Sequence, residues 1–251
     1  MGLKKKNKIT NILETGRHIS LFFRQLRRYR KELLLAVKEG GLEDRKKRCR
    51  YCRDGLSAIG LDYSYPSDDE LYAHYPCVFV ANHQSYLDAA ILCAVFERNI
   101  RFLAKSSVFR VPLLGEIMEH EGHLKVYRGK AAKRNIALRD QIAEAVSAGD
   151  GICFFPEGTR SVDGNLQSFK LGAFFAAVQH KLAVVPIVFE GTGKALPKGA
   201  FKLSPHDCSM QVLPPHYPNE SIEDERERAE RLRDEVRAAM QEKLEATTAE
   251  S

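Results

Sequence analysis

The chain has 251 residues, 44% of them hydrophobic and 29% charged, with a formal net charge of +6. That composition is ordinary for a globular protein and fits one large α/β domain with a basic appendage. The six cysteines show no disulfide framework, and no window approaches the roughly 18 consecutive apolar residues of a transmembrane helix.

Charge is unevenly placed. Residues 1–53 hold 17 Lys plus Arg against 5 Asp plus Glu, a net of +12, so residues 54–251 carry −6. The opening Met1-Gly2-Leu3-Lys4-Lys5-Lys6 has no apolar core of secretory-signal length behind it, and Lys6 breaks the myristoylation pattern. Ile19, Phe22, Leu26, Tyr29, Leu33 and Val37 recur at spacings of three and four, which predicts an amphipathic helix flanked by cations from Arg17 to Lys31. A basic amphipathic helix points to an anionic membrane surface or an acidic partner; the alternative is a helix that packs its apolar face on the rest of the protein. A second helix is expected from about Leu42 to Ile59, with Leu42, Cys49, Leu56 and Ile59 inward. Cys49-x-x-Cys52 has neither a second pair nor nearby histidines, so no metal is expected there.

From residue 61 the pattern becomes α/β alternation. Strands are predicted at 61–65, 77–81, 100–104, 123–127, 151–155, 182–189 and 210–213, and helices at 86–97, 131–148, 170–180 and about 221–245. A broken helical stretch is predicted at 108–118. Pro186 marks an edge strand or a bulge. The expected fold is α/β, a mostly parallel sheet covered by helices on both faces. Three segments follow: a basic amphipathic membrane-association segment at 1–60, an α/β catalytic domain at 61–220, and a charged helix and tail at 221–251. The last helix, rich in Arg and Glu, reads as a solvated face.

Two stretches stand at strand ends. Asn82-His83-Gln84-Ser85-Tyr86-Leu87-Asp88 lies where the strand at 77–81 gives way to a helix. His and Asp at this spacing meet only if His83 sits in the turn and Asp88 in the first helical turn. Ser85 and Asp88 also fit a helix capping box, and capping alone would explain both. Phe155-Pro156-Glu157-Gly158-Thr159-Arg160-Ser161 follows the strand at 151–155. In an α/β sheet, groups at successive strand ends converge on one crevice, so His, Asp, Glu and Arg brought to one edge point to chemistry.

These blocks resemble the glycerolipid acyltransferases of the 1-acylglycerol-3-phosphate acyltransferase type. Asn82-His83-x-Ser85-x-x-Asp88 matches that family's His-x4-Asp signature, and Phe155-Pro156-Glu157-Gly158-Thr159-Arg160 its Glu-Gly-Thr-Arg block. Gly122 to Arg128 looks like the intermediate block, with Tyr127 where Asp is common. Phe169 to Phe174 and Val185-Pro186-Ile187 resemble the later ones. The resemblance covers about residues 76–200 and implies a glycerol-3-phosphate acyltransferase-like fold. The implied reaction moves a fatty acyl group from acyl-CoA or acyl carrier protein to lysophosphatidic acid, giving phosphatidic acid, with the protein peripheral or monotopic on the cytoplasmic face of a membrane. The alternative acceptors are another lysolipid or glycerol 3-phosphate.

The residues themselves point to the same chemistry. An alcohol attacking a thioester must lose its proton as it attacks. A neutral His serves as general base near neutral pH, and an Asp on its other ring nitrogen fixes the tautomer. His83 and Asp88 supply that pair. No Gly-x-Ser-x-Gly elbow is present, so direct attack by the bound hydroxyl is favoured over a covalent serine route. A phosphate-bearing acceptor needs fixed cations, and Lys105, Arg128 and Arg160 all fall at strand ends. Glu157 either bonds an acceptor hydroxyl or holds the arginines. Gly158 lets backbone approach substrate closely, and Thr159 lies beside it. No metal or cofactor is expected. Nucleic acid is a weaker match for the basic segment, which has few aromatics and an apolar face suited to lipid. A catalytically dead membrane-binding module is the remaining alternative, opposed by the intact His83, Asp88 and Glu157.

Overall fold

A computed structural model describes residues 16–17, 20–21, 23–25, 27–32, 45–200, 203–204 and 206–249. The described residues between 16 and 32 are helical. Then come α1 (Arg45–Ala58), β1 (Tyr63–Ser64), α2 (Asp68–Tyr72), β2 (Val78–Ala81), α3 (Tyr86–Val95), β3 (Ile100–Lys105), α4 (Leu114–His120) and β4 (Leu124–Val126). The second half holds α5 (Leu138–Ser147), β5 (Gly151–Phe154), α6 (Gly172–His180), β6 (Val184–Glu190), α7 (Thr192–Ala195), β7 (Cys208–Val212) and α8 (Glu225–Ala249). Short 3-10 segments occupy Val108–Arg110 and Gly129–Ala137.

The strands form one seven-stranded sheet in the order β1-β7-β6-β2-β5-β3-β4. All neighbours are parallel except β6 and β7. β2 is central, and all four of its residues are buried. Alternate side chains of a strand point to opposite faces. Phe79 and Ala81 accordingly join the core beneath α1 and α3, while Val78 and Val80 join the core beneath α5, α6 and α8. The sheet is therefore covered on both faces, as expected. Because β2, β5, β3 and β4 run the same way, their C-terminal ends share one edge.

Several local expectations are corrected. Pro186 is not on an edge strand, since β6 pairs with β2 on one side and β7 on the other. It does sit at a bulge: between the Ile187–Val212 and Val184–His216 pairs, the partner segment has one residue more than β6. The helix expected from 131 is a 3-10 segment up to Ala137, because the Asn135 side chain bonds both the N–H and the C=O of Tyr127 at 2.8 Å and holds that stretch against β4. The last helix is more than a solvated face. Ala229, Leu232, Val236 and Met240, at spacings of three and four, are fully buried in the core.

Of the apolar stripe expected on the basic N-terminal helix, only Tyr29 falls among the described residues; Ile19, Phe22, Leu26, Leu33 and Val37 lie outside them, as does Leu42. Tyr29 is 3% exposed and packs with Tyr51 and Ile117. Its hydroxyl donates to Glu121 Oε1 at 2.6 Å, and Glu121 Oε2 accepts from buried Arg48 on α1 at 3.0 Å. At Tyr29, then, the helix packs on the protein. None of the described helices is long and apolar enough to cross a membrane.

Candidate active site

β2 ends at Ala81, and the chain turns through Asn82, His83 and Gln84 into α3. The turn is tied down on both sides. The Asn82 side-chain amide donates to Phe189 O at 2.9 Å and accepts from Phe189 N at 2.7 Å, locking the turn to β6. Ser161 N donates to His83 O at 2.7 Å, locking it to the segment after β5.

His83 Nδ1 lies 2.8 Å from Asp88 Oδ2. That same oxygen accepts from Gln84 N and from Ser85 N, each at 2.8 Å. Ser85 is the N-cap of α3, and its hydroxyl accepts from Leu87 N at 3.2 Å and donates to Leu196 O at 2.8 Å. The capping box and the His–Asp pair are therefore one structure and not rival readings. Asp88 is fully buried, whereas the His83 side chain keeps 19% exposure. A carboxylate can only accept, so Nδ1 carries the proton and Nε2 keeps its lone pair. The imidazole stacks on Phe155, ring centroids 4.1 Å apart at 26°, which fixes its plane.

Glu157 is held by backbone N–H groups. Its Oε1 accepts from His83 N at 2.8 Å and its Oε2 from Gln167 N at 3.2 Å, and among the described residues no arginine pairs with it. Burial pushes its carboxyl above the usual range, and the two backbone N–H groups pull the other way. Gly158 has φ +71°, a left-handed conformation that disfavours a side chain, and a Cβ there would lie 2.4 Å from Lys170 Nζ.

The expected cations are spread along the edge. The Arg160 guanidinium lies 3.6 Å from the ring centroid of Tyr86, the first residue of α3, which brings it to the His83 turn. Lys105 closes β3, two strands from β2, and Arg128 follows β4, three strands away. At strand spacing those are backbone offsets of about 10 and 14 Å. Both are exposed. Lys198 Nζ donates to Thr159 Oγ1 at 3.1 Å and to Arg160 O at 2.9 Å, bracing the strand-end segment. Arg237 on α8 donates to Leu166 O and Gln167 O, each at 3.2 Å, behind Glu157. Sequence reasoning missed Asn82, Phe155, Lys198 and Arg237 as supports. Asn82 and Phe155 stand inside the recognised blocks, which was the only available signal. Lys198 and Arg237 act from 38 residues or more away.

The described residues contain no cluster of His, Cys, Asp and Glu able to hold a metal ion. What the arrangement offers is a partly exposed, oriented imidazole at a sheet edge, with the Arg160 guanidinium at the same turn and further cations along the edge.

The model of the family named Acyltransferase matches residues 64–190, about half of the chain. The chain belongs to the acyltransferase family. It is 37% identical over 159 residues to a chloroplastic 1-acyl-sn-glycerol-3-phosphate acyltransferase of Brassica napus, covering 63% of this chain and 44% of that protein. The chloroplastic enzyme of the same description from Arabidopsis thaliana is 38% identical over 145 residues, 58% of this chain and 38% of that protein. The beta form from Homo sapiens is 32% identical over 130 residues, covering 52% and 47%. The chain thus spans less than half the length of these relatives. Among solved structures, the 1-acyl-sn-glycerophosphate acyltransferase PlsC of Thermotoga maritima superposes with a TM-score of 0.76 over 96% of this chain and 97% of that one, at 23% identity. At that identity the likeness speaks for the acyltransferase fold alone.

Proposed function

We propose that this acyltransferase moves a fatty acyl group from acyl-CoA or acyl carrier protein to the free hydroxyl of 1-acylglycerol 3-phosphate, giving phosphatidic acid. The observation that carries this reading is the His83–Asp88 pair, with its Nε2 lone pair available and Arg160 stacked at the same turn. The named relatives act, by their descriptions, on 1-acyl-sn-glycerol 3-phosphate, and their identities with this chain support the same acceptor here.

In this reading the acceptor hydroxyl gives its proton to His83 Nε2 while its oxygen attacks the thioester carbonyl carbon. The new C–O bond forms, the C–S bond breaks, and the proton passes from His83 to the departing thiolate. Asp88 stabilises the imidazolium between the two transfers. Arg160, with Lys105 and Arg128, meets the acceptor phosphate, since guanidinium groups bind two phosphate oxygens at once. Glu157 sets the His83 backbone. The acceptor is a lipid, and the proposed working location is the cytoplasmic face of a membrane, peripheral or monotopic, with the basic residues 1–53 towards anionic headgroups.

The test is an acceptor panel with one labelled acyl-CoA. The expected product is phosphatidic acid from 1-acylglycerol 3-phosphate, with monoacylglycerol a poor acceptor. Equal use of the phosphorylated and unphosphorylated acceptors would overturn the phosphate site.

A further inference from the structure

The segments that follow β2, β3, β4 and β5, four of the five parallel strands, make a rim of distinctive composition. Of the seven exposed large apolar side chains among the described residues, four stand on it: Tyr86 after β2, Val111 after β3, Ile136 after β4 and Val162 after β5. Their exposures are 66%, 42%, 84% and 79%. Tyr65 and Tyr217 follow β1 and β7, which run the opposite way and so deliver them to the other edge.

These segments are held at the rim. Asn135 pins the one after β4 to Tyr127, Ser161 pins the one after β5 to His83 O, and Ser106 N donates to Val126 O at 2.9 Å at the end of β3. Two of these segments, those after β3 and β4, are also basic, while the one after β5 holds Arg160 with Glu157 and Asp163. Residues 105–113 and 127–137 contain six Lys and Arg and no Asp or Glu, although residues 54–251 as a whole are net negative.

We propose that this rim is a membrane-contact surface in addition to residues 1–53. Val111, Ile136 and Val162 enter the headgroup layer of an anionic bilayer, while Arg110, Lys130 and Lys133 meet its phosphates, so the edge carrying His83 faces the lipid. The observations favour a bilayer over an acidic protein. The apolar side chains sit singly on three separate segments and do not form one groove, which suits a soft phase that closes around each of them. Arg110, Lys130 and Lys133, none of them assigned to the acceptor phosphate, supply the charge complementarity. The proposal rests on the acyltransferase reading only for the choice of lipid.

The chain contains no tryptophan, so one introduced indole reports alone. Full-length Ile136→Trp, Val111→Trp and, as a control at the other edge, Tyr217→Trp are titrated with phosphatidylcholine–phosphatidylglycerol vesicles carrying brominated acyl chains. The expected result is a blue shift and quenching for the first two and neither for the control. Lys130→Glu with Lys133→Glu should weaken vesicle binding by at least about fivefold per charge. No quenching at positions 111 and 136, equal quenching at 217, or a response to acidic carrier protein but not to vesicles would overturn the proposal. Acyl transfer to acceptor dispersed in detergent is measured in parallel. Transfer without rim quenching removes the rim alone, and rim quenching without transfer removes the acyltransferase reading alone.

Discussion

Asp88 orients His83 and closes the cap of the helix behind it with a single carboxylate oxygen, which takes His83 Nδ1, Gln84 N and Ser85 N at 2.8 Å each. Two substitutions separate these duties. Asp88→Asn can keep an oxygen for the backbone donors but loses the charge that stabilises the imidazolium. It should lower kcat by roughly 10²–10⁴-fold with little loss of stability. Asp88→Ala also strands buried donors, each costing about 1–3 kcal/mol, and should unfold at clearly lower urea. Steady-state kinetics and urea titration of the two variants check both parts.

Arg160 is the cation tied to the His83 turn, through Tyr86, while Lys105 and Arg128 stand two and three strands along the edge. Arg160→Ala should raise the KM for 1-acylglycerol 3-phosphate about 10- to 150-fold, from the roughly 1.5–3 kcal/mol of a hydrogen bond to a charged group. Arg128→Ala should act in the same direction. The donor KM should hardly change in either variant. A rise confined to the donor KM would remove the phosphate role.

The pair of Arg48 and Glu121, joined by Tyr29, is buried and links α1 and the N-terminal helical residues to the end of α4. Arg48→Met leaves the Glu121 carboxylate buried without its partner charge. It should destabilise the protein by about 3–5 kcal/mol, and Tyr29→Phe by about 1 kcal/mol. Equilibrium urea unfolding gives both values, and a near-neutral Arg48→Met would contradict the prediction.

His123 is buried beside Arg48 and Arg101, with Phe102 N donating to its Nδ1 at 3.2 Å. Burial first, and then the two guanidinium groups, lower its pKa from 6.5 to about 3. Between those values the unfolded chain binds a proton that the folded chain does not, so stability is full above 6.5 and falls as pH drops towards 3. The slope from this group approaches about 1.4 kcal/mol per pH unit. His123→Asn should lose stability less steeply between about pH 6.5 and 5 than the wild type, measured by urea unfolding at each pH.

Much of this was legible in the sequence because apolar runs such as Cys77 to Ala81 and Ile152 to Phe155 are bounded by turn residues, and strand ends follow from those bounds. The His83–Asp88 bond was legible because both partners lie within one turn of chain. Contacts across long separations were not. Arg48 sits in an Arg-Lys-Lys-Arg run that reads as surface, and its partner Glu121 lies 73 residues away. The buried face of α8 was hidden by the density of Arg and Glu around Ala229, Leu232, Val236 and Met240. Nothing in the sequence around Glu157 reveals its bonds to the N–H groups of His83, 74 residues away, and Gln167.

We propose His83 as the general base of a direct acyl transfer to 1-acylglycerol 3-phosphate. The most direct measurement is the initial rate of phosphatidic acid formation from acyl-CoA by the wild type and by His83→Ala, at saturating acceptor, with circular dichroism confirming the fold. His83 is partly exposed and its turn is held by backbone and Asn82 bonds, so the variant should fold. The expected result is a rate about 10²–10⁴-fold below the wild type. A folded His83→Ala protein that kept more than about a tenth of the wild-type rate would contradict it.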